Sequence, residues 1–114
     1  MDFTDFFATL REEHPPARLS PALQSLWHDA QGDWAKAHDL VNDATDADSA
    51  WVHAYLHRKE GDLVNATYWY RKADRPEPTT SVVAEWRHIV SSLLRVVDHR
   101  GARRGRGRSN EDDF

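Results

Sequence analysis

The chain has 114 residues, of which 39% are hydrophobic and 30% charged, and its formal net charge of −4 is ordinary for one soluble globular domain. The absence of cysteine excludes a disulfide framework, a thiolate metal site and a cysteine nucleophile. No apolar run approaches the roughly 20 residues that a membrane span needs, and the acidic N-terminus does not resemble a secretory signal. We therefore expect a cytoplasmic protein with no membrane partner.

Helical patterns begin at the N-terminus. Apolar residues within 3–10 recur at three- and four-residue spacing, which predicts a short capping helix that ends before Pro15. Ser20 and Pro21 are a typical N-cap and first helical residue, and they predict a helix that continues to Ala30.

Two Gly-Asp pairs then separate consecutive predicted helices. The pair at 32–33 ends one helix and starts the next, and the pair at 61–62 does the same. Together with the cap-rich segment before Ser49, they predict helices at 34–43, 49–61 and 63–73.

The last helix has the clearest amphipathic pattern. Apolar residues from Val82 to Val97 form one wide face, which predicts a fifth main helix and offers a surface for a homodimer. Arginine and glycine follow from Arg100, and then acidic residues, a composition that favours disorder. The sequence thus predicts a single helical domain at 1–99 and a disordered tail at 100–114.

The two Gly-Asp pairs also mark an internal repeat of 29 positions, which brings Ala37 onto Ala66 and Ala44 onto Ala73. The run Ala50 to Pro76 holds a small residue, a Gly-Asp turn, an alanine, an aromatic, a second alanine and a proline, at Ala54, Gly61-Asp62, Ala66, Tyr70, Ala73 and Pro76. These positions resemble the tetratricopeptide repeat. The resemblance implies an all-α fold, either a short array or a compact bundle of about five or six helices.

The resemblance also implies a function, because the first helix of such a repeat lines a ligand groove. It makes the chain a protein-protein interaction module, an adaptor or scaffold that binds a peptide or acidic segment of a partner. The groove residues would be Trp51, Tyr55, Arg58 and Lys59. Arg58 is suited to bidentate binding of a carboxylate, whereas the alternative is that the aromatic side chains pack internally and the cations are solvated.

Histidines supply the alternative function. His53 and His57 are four residues apart on a helix, so both point to one side and suit one zinc or other divalent metal ion. His28 or His38 supplies a third ligand, and we take the candidate set as His28, His53 and His57. The competing interpretation is that these histidines pack between helices, which the alignment of His28 with His57 favours.

Other functions find less support. The chain has no phosphate-binding glycine loop, nucleophile elbow or Ser-His-Asp order, so the sequence favours a non-enzymatic role, with a metal-dependent hydrolase as the enzymatic alternative. The residues before Arg100 include 10 basic and 16 acidic residues, which argues against a broad nucleic-acid surface. Only the five arginines between Arg100 and Arg108 would contact nucleic acid, and weakly.

Overall fold

The computed structural model describes the backbone of residues 1–102 and the side chains of residues 1–95. That part of the chain contains six α-helices and one 3₁₀ turn and no strand. The helices are α1 (Phe3–Ala8), α2 (Pro21–Ala30), α3 (Trp34–Asn42), α4 (Ala47–Glu60), α5 (Leu63–Ala73) and α6 (Val82–Ala102), and the 3₁₀ turn is Thr9–Arg11. The predicted all-α fold of five or six helices is confirmed.

Helix α6 continues beyond residue 99, the predicted end of the domain, to Ala102, the last residue whose backbone the structure describes. The tail predicted to be disordered lies outside the described residues from position 103 onwards. Within residues 1–102, no helix combines the length and the apolar composition that crossing a membrane requires.

Capping side chains decide where the first five helices begin. In each cap, a side-chain oxygen accepts a hydrogen bond from the backbone N–H three residues further on. The capping residues are Asp2, Ser20, Asp33, Asp46 and Asp62. Each such cap stabilises a helix by about 1 kcal/mol because it satisfies an otherwise unpaired N–H group. Since Asp46 is the cap of α4, this helix begins at Ala47, two residues before the predicted start at Ser49.

The two Gly-Asp turns have the same geometry. Gly32 has a φ of 85° and Gly61 a φ of 89°, in the left-handed region that glycine adopts at little cost. In both turns the aspartate N–H donates to the carbonyl of a histidine five positions earlier, over 3.0 Å in the first turn and 2.9 Å in the second. The 29-residue sequence repeat therefore corresponds to two helical hairpins, α2–α3 and α4–α5, that close in the same way.

Helix α4 is the centre of the molecule. It packs against α2, α3, α5 and α6, and its residues 49–57 are all buried. A helix that is enclosed on every side cannot keep a polar face for solvent. As a result, Tyr55, Arg58 and Lys59 of α4 find their partners on the surrounding helices.

Helix α6 closes the bundle. The indole of Trp86 lies against the rings of Phe3 and Phe6, with centroid distances of 5.9 and 6.2 Å, and its Nε1–H donates to the buried carbonyl of Leu26 over 3.0 Å. The apolar face of α6 is buried in the core through Ile89, Val90, Leu93 and Leu94. This part of the face predicted for a homodimer is thus covered by the chain itself, while the side chain of Val97 lies outside the described residues.

Candidate metal centre

Three histidine rings meet between α3 and α4. His38 comes from α3, and His53 and His57 come from successive turns of α4. The ring centroids of His53 lie 4.8 Å from those of both other histidines, and His38 lies 5.3 Å from His57. One ligand atom from each ring falls within 4.8 Å of the others, so the three side chains can converge on a single ion.

Two of the ring nitrogens already have the spacing of metal ligands. Nε2 of His38 lies 3.1 Å from Nε2 of His53. Two nitrogens bound to one tetrahedral zinc ion at 2.0–2.1 Å would be about 3.3 Å apart. A small separation of the rings therefore suffices for both to bind, and without a metal the two atoms share one proton in a hydrogen bond.

The third histidine is oriented by a carboxylate. Nδ1 of His57 is 2.7 Å from Oε2 of Glu60, one helical turn further along α4, and the two side chains are 11% and 38% exposed. Because Nδ1 is the nitrogen next to the carboxylate, Nε2 is the nitrogen of His57 that remains for a metal. Metal-bound histidines in proteins commonly donate their other N–H to such an outer group.

Two indoles hold the other two rings in place. Trp34 stacks on His38 with a centroid distance of 4.9 Å, and its Nε1–H donates to the carbonyl of Leu56 on α4 over 3.0 Å. Trp69 of α5 stacks on His53 at 4.0 Å. Ordering these rings in advance lowers the entropy lost when a ligand binds.

Burial favours the uncharged form of two of the three rings, His53 and His38. Desolvation, followed by the nearby rings of His38 and His57, lowers the pKa of His53 to about 4. Desolvation and then His57 also lower the pKa of His38 below its usual value. Both rings are neutral at physiological pH, which is the form that binds metals.

One polar atom in this cluster has no hydrogen-bond partner within the described residues. It is Nδ1 of His53, a ring that is only 2% exposed. A buried unpaired polar atom costs about 1–3 kcal/mol, a cost that an apolar side chain in the same place would avoid. Because Nε2 of the same ring faces His38, His53 carries this cost at Nδ1 whether or not a metal is bound.

The three histidines that meet in the structure differ in one member from the predicted set of His28, His53 and His57. His53 and His57 lie together as expected, but the third ring is His38, whereas His28 is not in the group. His28 lies on α2 against the indole of Trp27, and Lys36 and Asp33 are its charged neighbours. The equivalence of His28 and His57 in the repeat reflects their shared place before a Gly-Asp turn.

The residues predicted for partner binding are engaged within the chain. Trp51 and Tyr55 are 3% and 2% exposed. The hydroxyl of Tyr55 donates to Asp29 over 2.6 Å, and Lys59 donates to the other oxygen of this carboxylate over 2.8 Å. Burial, followed by the bond to Asp29, raises the pKa of Tyr55 above its usual value, so the phenol keeps its proton.

Arg58 belongs to a second group in which a cation and a tyrosine hydroxyl bind one buried carboxylate. It donates to the buried carboxylate of Glu85 over 2.8 Å and also to the carbonyl of Thr80. The hydroxyl of Tyr70 donates to the second oxygen of Glu85 over 2.5 Å. Because these groups join α4 to α2, α5 and α6, Arg58 and Lys59 do not face an open groove, and a role in binding a partner stays a prediction.

No protein-family model, curated protein or solved structure matches this chain. The resemblance to tetratricopeptide repeats accordingly stays a prediction.

Two members of the cluster lie outside the predicted ligand set, His38 and Glu60. His38 was an alternative third ligand, and its position four residues after Trp34 would have placed both rings on one side of α3. Glu60 follows His57 by three residues, a spacing at which side chains on a helix touch. Both signals are local, but only the packing of α3 on α4 gives them a common target.

Proposed function

We propose that this chain is a metal-binding protein whose centre consists of His38, His53 and His57. The observation that carries the proposal is the convergence of one ligand atom from each ring within 4.8 Å. The neutral state of His53 and the orientation of His57 by Glu60 support it.

The donor set selects the class of metal. Three imidazole nitrogens suit Zn²⁺, Cu²⁺, Ni²⁺ or Co²⁺, whereas Mg²⁺ and Ca²⁺ prefer oxygen ligands. Zinc with three protein ligands keeps a fourth position for water or another ligand. Glu60 is placed to orient His57, not to take a proton from that water, so the geometry supports metal binding more strongly than hydrolysis.

Binding should also stabilise the fold, because the ligands come from two helices. An ion at 100 times its dissociation constant adds about 2.7 kcal/mol to the free energy of unfolding. For a domain of this size the melting temperature would rise by roughly 10 °C.

The test is a zinc titration of chelated protein, followed by calorimetry and by thermal unfolding with and without chelator. We expect one bound equivalent and the rise in melting temperature. His38→Gln, His53→Gln and His57→Gln should each remove most of the affinity, and Glu60→Gln should weaken binding about 10-fold or more.

His28→Gln is the matched control, because it removes a helical histidine outside the cluster. It should bind zinc like the unaltered chain. Equal losses for His28→Gln and His38→Gln would show that zinc binds to histidines generally. An absence of stoichiometric binding to the folded, chelated protein would refute the proposed function.

A further inference from the structure

A cavity on the other side of α4 has a different chemistry from the histidine cluster. It lies between α4, the start of α6 and the segment that joins α5 to α6, and its volume is about 410 Å³. Its walls include Trp51, Arg75, Thr79, Thr80, Glu85 and His88. A volume of this size is in the range of small-molecule sites, which are largely apolar with a few polar groups that fix the ligand.

Arg75 is the cation of this cavity that has no counter-ion. Its guanidinium lies over the indole of Trp51, with 3.8 Å between the central carbon and the ring centroid. Among the described residues it has no carboxylate partner and makes no hydrogen bond through its side chain. Stacking holds the guanidinium plane while the N–H groups at its edge stay free to bind an anion in the bidentate manner.

The acidic residue in the wall does not cancel this charge. Glu85 is 3% exposed, and its two carboxylate oxygens are bound by Arg58 and by the hydroxyl of Tyr70. Its negative charge is therefore already compensated by Arg58. Within a domain whose residues before Arg100 carry more acidic than basic groups, Arg75 gives this cavity a local preference for an anion.

The shape of the walls indicates what the anion should be attached to. Trp51 and His88 meet edge to face, with centroids 5.6 Å apart, and two proline rings border the same space. Flat and rigid walls of this kind favour a flat apolar body. The hydroxyls of Thr79 and Thr80 make no hydrogen bond within the described residues and are available to a carboxylate oxygen.

We propose that this cavity binds a small aromatic carboxylate, with the carboxylate on Arg75 and the ring between the side chains of Trp51, His88 and the prolines. The site is separate from the histidine cluster and does not depend on metal binding.

The experiment is a titration of the isotopically labelled full chain with phenylacetate, followed by amide and indole NMR shifts. We expect saturable shifts at the indole N–H of Trp51 and at the backbone of Thr79 and Thr80, with a dissociation constant of about 1 mM or tighter. Phenylacetamide has the same shape without the charge and should bind at least about 10-fold more weakly.

Arg75→Gln should weaken phenylacetate binding about 10-fold, since it removes the charged guanidinium at an exposed position. Arg71→Gln is the matched control, because Arg71 is an exposed cation of α5 that does not line this cavity. Equal binding of acid and amide, or unchanged binding by Arg75→Gln, would overturn the proposal. So would the absence of saturable shifts up to about 20 mM phenylacetate.

Discussion

Lowering the pH should destabilise this protein through His53, in a range where most carboxylates are still ionised. In the folded chain the pKa of His53 is about 4, against 6.5 for an unperturbed histidine, and burial is the main cause. Between these two values the unfolded chain binds more protons than the folded one. The free energy of unfolding therefore increases with pH across this window. The contribution of His53 is fully present above about pH 6.5 and is lost as the pH drops towards 4.

The size of the effect follows from the two pKa values. Each unit of difference corresponds to about 1.4 kcal/mol, so the whole shift corresponds to about 3 kcal/mol. From pH 7.5 to 5.5 the loss is about 1 kcal/mol, and by pH 4.5 it is about 2–3 kcal/mol. His38 adds to this loss, because its pKa is lowered as well.

Urea unfolding of the chelated protein, followed by circular dichroism at a series of pH values, measures this dependence. His53→Gln removes the titrating ring at a position where a polar atom can still reach His38, and it should flatten the curve between pH 7.5 and 5.5. His14→Gln is the control, since His14 is an exposed residue outside the helices and should leave the curve unchanged. Curves for the unaltered chain and His53→Gln that coincide within about 0.5 kcal/mol would refute the reasoning.

Two further predictions concern the framework of the fold. Tyr55→Phe leaves a buried oxygen of Asp29 without its phenol donor, and urea unfolding should show a loss of about 1–3 kcal/mol; a loss below about 0.5 kcal/mol would mean that water replaces the phenol. Gly61→Ala should cost about 1 kcal/mol through backbone strain alone, because a Cβ there meets no atom within 4 Å. Gly32→Ala should cost the same by this reasoning, and a difference of more than about 1 kcal/mol between the two variants would show that the turns are not equivalent.

The helices of this chain were largely predictable because their signals are local. Ser20 and Pro21 start α2 as expected, and the Gly-Asp pairs end and restart helices within one residue of the predicted positions. The start of α4 was missed by two residues, since several residues before Ser49 are able to cap a helix and only the folded chain selects Asp46. Caps and turns act over a few residues, so the sequence alone contains most of what they need.

The function of α4 could not be predicted in this way. An isolated repeat would leave Trp51, Tyr55, Arg58 and Lys59 on an open surface. Here the two aromatic side chains are buried, and the two cations bind carboxylates of α6 and α2. The bond from Arg58 to Glu85 spans 27 residues, and the bond from Trp86 to Leu26 spans 60. Contacts over such distances depend on how the last helix returns to the first hairpin.

The candidate site shows the same division. The sequence by itself determined that His53 and His57 share one side of a helix, since a separation of four residues is close to one helical turn. Only the tertiary structure decided that His38 completes the cluster and that His28 does not, because both lie on other helices and the packing of α3 against α4 selects between them. Helical periodicity is a property of neighbouring residues, whereas the meeting of two helices depends on the shape of the whole core.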